Sequence, residues 1–256
     1  MLSPTDPASP VILWFTFSAL IGLLVYRAVR KERRDYQRFK RFERTRNRQR
    51  MMRKWLVDSL TMFGGAAVVI IALSWRFVTP LLGAVEGWPI SVGWRRLLAD
   101  TGGLVPGVAA AIGVALLGGT IFAVALARKT DDLPTIGDIG ALLPRNRAEL
   151  VYGALLSVNA GVVEELLFRF ALPALIFGAS GSALAAVVGS VALFGVLHLY
   201  QGWPGILGAT VIGSLLMALY LATGSIVVAV IVHALIDLRS LVLIPMLVFG
   251  VHRTRG

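Results

Sequence analysis

Apolar runs close to membrane-spanning length recur along the chain, divided by short polar breaks. Residues 11–26 carry no charge and reach the low end of the ~17–25 residues that cross a bilayer once Arg27 and Arg30 snorkel. Their N-terminal flank holds Asp6 and no Lys or Arg, unlike the basic start of a secretory signal, so the run reads as a retained first membrane helix. A second run covers 59–75. A mixed stretch with Trp88, Trp94, Arg95 and Arg96 then suits an interfacial loop, and 104–127 is uncharged throughout. Residues 128–149 are polar, carry Pro134 and Pro144, and read as a solvent loop. Four more apolar segments follow at 150–177, 182–200, 206–223 and 226–251, broken only by Gly178-Ala-Ser-Gly181, Gln201-Gly-Trp-Pro204 and Gly224-Ser225. Breaks so short make neighbouring helices antiparallel. The pattern predicts an all-α, polytopic transmembrane helix bundle of seven spans, or eight if Arg239 and Ser240 divide the last segment.

Composition agrees with that reading: 57% of residues are hydrophobic and 15% charged, against about 45–50% and about 25% in soluble domains. The absence of cysteine excludes a disulfide scaffold, a cysteine nucleophile and a Cys-ligated zinc site. The formal net charge of +11 changes the picture once it is localised. Between 27 and 54, fourteen Lys and Arg stand against Glu32, Asp35 and Glu43, and the rest of the chain is neutral. The chain therefore divides into an N-terminal membrane helix (1–26), a basic juxtamembrane segment (27–54) and a helical membrane domain (55–256). An excess of Lys and Arg marks cytoplasmic loops, so the basic helix is expected inside and the N-terminus outside. Seven spans then place Arg253 and Arg255 on the same side as the basic segment.

Tyr36, Phe39 and Phe42 recur at i, i+3, i+6 among the basic residues. Two readings stand open. The helix rests its aromatic side on the membrane while Arg33, Arg34, Arg38, Lys40 and Arg41 meet anionic headgroups, or it is a solvated cytoplasmic helix. No nucleic-acid-binding fold is recognisable outside the spans, which argues against such a partner despite the charge.

Ionisable groups inside membrane spans cost several kcal/mol and mark function by default. The first cluster is Gly161-Val-Val-Glu164-Glu165-Leu-Leu-Phe-Arg169. Glu165 and Arg169 have the i, i+4 spacing of an intrahelical ion pair, which is their structural reading. Glu164 is turned about 100° away with no partner on its own helix, and is the better candidate for chemistry. The second cluster ends at His198, four residues after Phe194, and the third joins His233 to Asp237. A single histidine in an apolar helix is more often packed than catalytic, but two with an acidic pair reverse that balance if they meet. Counting back from the adjoining turns at ~1.5 Å per residue, Glu164, His198, His233 and Asp237 fall within a slab about 10 Å thick. A carboxylate and an imidazole about one water make a general base for hydrolysis, and a second imidazole can hold a developing oxyanion. The same atoms suit zinc or a similar divalent ion, with Glu164, His198 and His233 as candidate ligands.

The ordered set Glu-Glu-x-x-x-Arg, Phe-x-x-x-His and His-x-x-x-Asp resembles the CPBP family of intramembrane proteases, also called the CAAX protease or Abi family. The similar stretch covers about 150–238, a third of the chain. The resemblance implies an intramembrane endopeptidase acting on a membrane-associated or prenylated protein, in which Glu164 activates water with His198. It implies that His233 and Asp237 face the scissile carbonyl or a metal, and that Glu165, held by Arg169, completes the site. The prenyl endopeptidases of the family have Asn where this chain has Asp237, and an ionised carboxylate cannot donate to an oxyanion. A bacterial plasma membrane is the expected location. The alternatives are a catalytically silent scaffold of the same fold, which regulates a kinase or a secretion partner, and a proton-coupled transporter.

Overall fold

In a computed structural model, residues 2–100, 104–130 and 135–254 are described; Pro134, Arg255 and the side chain of Trp94 lie outside that description. Among the described residues every regular element is helical. In chain order the α-helices are α1 (Ser9–Tyr26), α2 (Arg33–Lys40), α3 (Thr45–Ser59), α4 (Gly65–Ser74), α5 (Val78–Glu86), α6 (Pro89–Asp100) and α7 (Leu104–Thr130). They continue with α8 (Arg147–Glu165), α9 (Leu172–Ser180), α10 (Ala183–Leu197), α11 (Gly202–Thr223), α12 (Ile226–Leu238) and α13 (Ile244–Phe249). Several run on through π-helical turns, so that α8 and α9 form one rod and α12 and α13 another.

The punctuation lies where the polar breaks put it. Asn146 accepts from the Glu149 amide at 3.0 Å to cap α8, and Ser182 accepts from the Ala185 amide at 3.2 Å to cap α10. Gly181 and Gly224 end α9 and α11 in the left-handed conformation, with φ of 68° and 65°, which glycine adopts without strain.

Among the described residues, five helices are long and apolar enough to cross a membrane by length and composition. One of them, 183–223, doubles back at the 3₁₀ turn 198–201, so that α10 and α11 pack against each other as two crossings. The rod of α8 and α9 has the length but carries Glu164, Glu165 and Arg169. With α10 and α11 taken separately and the α8–α9 rod added, the described residues hold seven helical rods of the kind the sequence pattern predicts, and the protein is an integral membrane protein. Arg239 and Ser240 do not divide the last segment, because a π-helical turn carries the helix through them. The stretch around Trp88, Arg95 and Arg96 is helical rather than a loop, with Arg95 paired to Glu86 at 2.8 Å on the surface.

One apolar core draws on most of the chain. Leu13, Leu20 and Leu24 of α1 are buried with Ile70 of α4, Leu172 and Leu175 of α9, and Met217 and Tyr220 of α11. The basic segment also folds inward. Its aromatic stripe does not lie on the membrane: Tyr36 and Phe39 are buried, and Phe39 packs with Met51, Met52 and Trp55 of α3 against Tyr152 and Leu156 of α8. Arg33, Arg34, Arg38, Lys40 and Arg41 remain exposed around the α2–α3 hairpin.

A buried ion pair fastens the hairpin. Arg48, fully enclosed, donates through Nε to both carboxylate oxygens of Glu149 at 2.9 and 3.0 Å, and through Nη2 to the carbonyls of Ala141 and Leu143. Its guanidinium lies 4.4 Å from the Phe39 ring centroid. Tyr36 donates to the Asp138 carbonyl, and Lys40 pairs with the Asp138 carboxylate. The polar loop before α8 is therefore bound to the basic segment rather than free in solvent.

Candidate active site

The site begins where α8 passes into the π-helical turn 166–171. Arg169 reaches back to Glu165, Nη1 to Oε1 at 2.9 Å, with both side chains sealed from solvent. The contact is an ion pair without hydrogen-bond alignment, since Nη1 and Glu165 Oε2 have no hydrogen-bond partner. The guanidinium carbon lies over Phe194 at 4.2 Å from its centroid, where the ring face offsets some of the cost of burial.

α12 supplies the second half. A Cβ on Gly161 would stand 2.8 Å from the Ala234 Cβ and 2.9 Å from its amide nitrogen, so only glycine there lets α12 lie this close to α8. That approach brings His233 to Glu165, with Nδ1 donating to Oε1 at 2.6 Å. One turn on, Asp237 Oδ2 is 3.8 Å from His233 Nε2, within ion-pair range and beyond hydrogen-bond range.

α10 brings His198 to its C-terminus, with Nδ1 2.8 Å from the Phe194 carbonyl. A carbonyl only accepts, so the neutral ring carries its hydrogen on Nδ1 and keeps a lone pair on Nε2. Phe194 thus orients His198 through its backbone and Arg169 through its ring, and that ring also meets Phe168, His198 and His233 at 5.2, 4.8 and 6.3 Å.

These elements surround a cavity of about 280 Å³ whose wall includes Glu164, His198, His233 and Asp237. The four residues that the depth count placed in one slab thus share one cavity. Glu165 and Arg169 stand behind the wall, against His233. Glu164 is half-buried and makes no hydrogen bond or ion pair to any described residue. The opposite wall comes from the N-terminal third of the chain, including Lys31, Asp35, Tyr36 and Asp58, where Lys31 meets Asp58 at 2.8 Å. Sequence reasoning missed those contributors, and also Asn159 and Tyr200, which line the same space. Nothing in a single sequence links residue 36 to residue 198, although Tyr200 stands only two positions after a candidate histidine.

Among the described residues no three His, Asp or Glu side chains gather as a ligand set. His233 commits Nδ1 to Glu165 and His198 commits Nδ1 to a carbonyl, which leaves Nε2 of each ring, with Glu164, as the atoms that would hold a divalent ion. Glu164, His198 and His233 line one cavity, and no step below passes through a metal.

An all-α bundle of membrane type thus brings Glu164, Asp237 and two oriented imidazoles to one cavity. Residues 146–239 match the family model of type II CAAX prenyl endopeptidases, Rce1-like. The match covers 94 of the 256 residues, and through that segment the chain is similar to the CAAX protease family. No curated protein sequence and no solved structure matches the chain.

Proposed function

We propose that the protein is an intramembrane endopeptidase that hydrolyses a peptide bond of a membrane-associated or lipidated substrate with a water activated by Glu164 and His198. The observation that carries this reading is the shared cavity of Glu164, His198, His233 and Asp237, inside a segment of CAAX protease type. Glu164 takes a proton from the water while the water oxygen bonds to the scissile carbonyl carbon. The carbonyl pair moves onto oxygen, and His198 Nε2 accepts the second hydrogen of the water as a hydrogen bond and orients it. Collapse of the oxyanion breaks the C–N bond, and the proton held by Glu164 passes to the departing amine. Glu165 fixes the ring of His233 from behind, and Asp237 faces its other nitrogen.

The test is cleavage of an internally quenched farnesylated peptide by the purified protein in lipid vesicles. Glu164→Gln and His198→Ala should each lower kcat by ~10²–10⁴-fold, the usual share of general base catalysis, and leave the thermal unfolding midpoint in place. A chelator should leave the wild-type rate unchanged. Full biological function supported by both variants would favour the scaffold reading instead.

A further inference from the structure

We propose that Tyr200 is a further catalytic residue, whose phenol hydrogen meets the oxyanion that forms on the scissile carbonyl. This rests on the hydrolytic reading of Glu164 and His198. Addition of water places a negative charge on the former carbonyl oxygen, and a donor already aimed at that point lowers the barrier. Several donors beside the motif residues are committed elsewhere. His198 gives its Nδ1 hydrogen to the Phe194 carbonyl, and His233 gives its own to Glu165. Tyr36 donates to the Asp138 carbonyl. An ionised Asp237 has no hydrogen to give. Asn159 donates to Ser59 Oγ at 2.8 Å and lies five residues before Glu164, about 7.5 Å back along α8.

Tyr200 differs in the direction of its bond. Its oxygen accepts from Gln201 Nε2 at 2.8 Å, and its own hydrogen has no acceptor among the described residues. Donation from Gln201 draws charge from the phenol oxygen and makes the remaining O–H a stronger donor. The ring is held from both sides. The His198 imidazole is 6.1 Å away and nearly parallel, at 27°, and the Tyr36 ring meets it edge-on at 5.4 Å and 66°. Both residues lie on the 3₁₀ turn His198–Gln201, so one short element carries the phenol and the imidazole that holds the water. Tyr200 keeps its hydrogen throughout, so no proton transfer is asked of it.

Tyr200→Phe keeps the stacked ring and removes only the hydroxyl. With the quenched farnesylated peptide in vesicles, kcat should fall ~10²–10³-fold, as for removal of one oxyanion donor, with KM and the unfolding midpoint unchanged. A variant with wild-type kcat overturns the proposal, as does a loss that appears in KM or is matched by a lower unfolding midpoint. Glu164→Gln is run on the same peptide. If it abolishes cleavage while Tyr200→Phe does not, only the role of Tyr200 fails. If Glu164→Gln cleaves normally, or the wild type does not cleave, the hydrolytic reading fails and this proposal fails with it.

Discussion

Glu164 and Glu165 are neighbours in sequence and opposite in circumstance, because a helix turns successive side chains about 100° apart. One faces the cavity without an ionic partner, and the other is enclosed with Arg169 and His233. The enclosed pair is the more sensitive to mutation in terms of stability. Removing one member of a buried ion pair strands the other in low dielectric, at a cost of about 3–5 kcal/mol. Arg169→Met should therefore lower the denaturation midpoint sharply, and Arg169→Lys should not restore it, since a compact ammonium does not replace the planar guanidinium that reaches both Glu165 and the Phe194 ring. Equal stability of Arg169→Met and wild type in detergent-based unfolding would show that Glu165 is neutral and that the pair contributes nothing. The i, i+4 pairing was legible from spacing alone. The second partner of Glu165 was not, because His233 is 68 positions away and meets it only through helix packing.

That packing is a property of two elements, α8 and α12, and depends on one missing side chain. Gly161→Ala would place a methyl 2.8 Å from Ala234 and force α12 outward, carrying His233 from Glu165 and from the cavity. A displacement of about 1 Å at a reacting centre can cost ~10²-fold in rate, so Gly161→Ala should lose about that in peptide cleavage. Gly113→Ala on α7, where a Cβ would meet nothing within 4 Å, is the control and should be silent. An unaffected Gly161→Ala would mean that His233 does not need this contact. Helix ends were easier to read than helix partners. Asn146, Gly181, Ser182 and Gly224 act locally, through their own turn, and so leave their signal in a few residues. The stripe of Tyr36, Phe39 and Phe42 was visible too, but an apolar stripe does not say what covers it. Here the cover is α3 and α8 rather than lipid.

At the scale of the molecule, the +11 of the basic segment and the neutral bundle are not separate parts. The Arg48–Glu149 pair, 101 positions apart, closes the segment over the membrane domain, and Arg27, Lys31, Asp35 and Tyr36 help to wall the cavity. The mouth of the cavity therefore shares its side of the membrane with the basic segment, and the orientation of the chain decides where a substrate must arrive. The Lys and Arg bias predicts the cytoplasmic side. Because the chain has no cysteine, each introduced one is a unique label. Arg38→Cys, exposed on α2, and Ser180→Cys, exposed at the opposite end of the α8–α9 rod, can be probed with an impermeant maleimide on intact cells. Ser180→Cys should label directly, and Arg38→Cys only after the membrane is opened. The reverse pattern would put the cavity mouth outside the cell, and any substrate would then have to reach the enzyme from the outer leaflet.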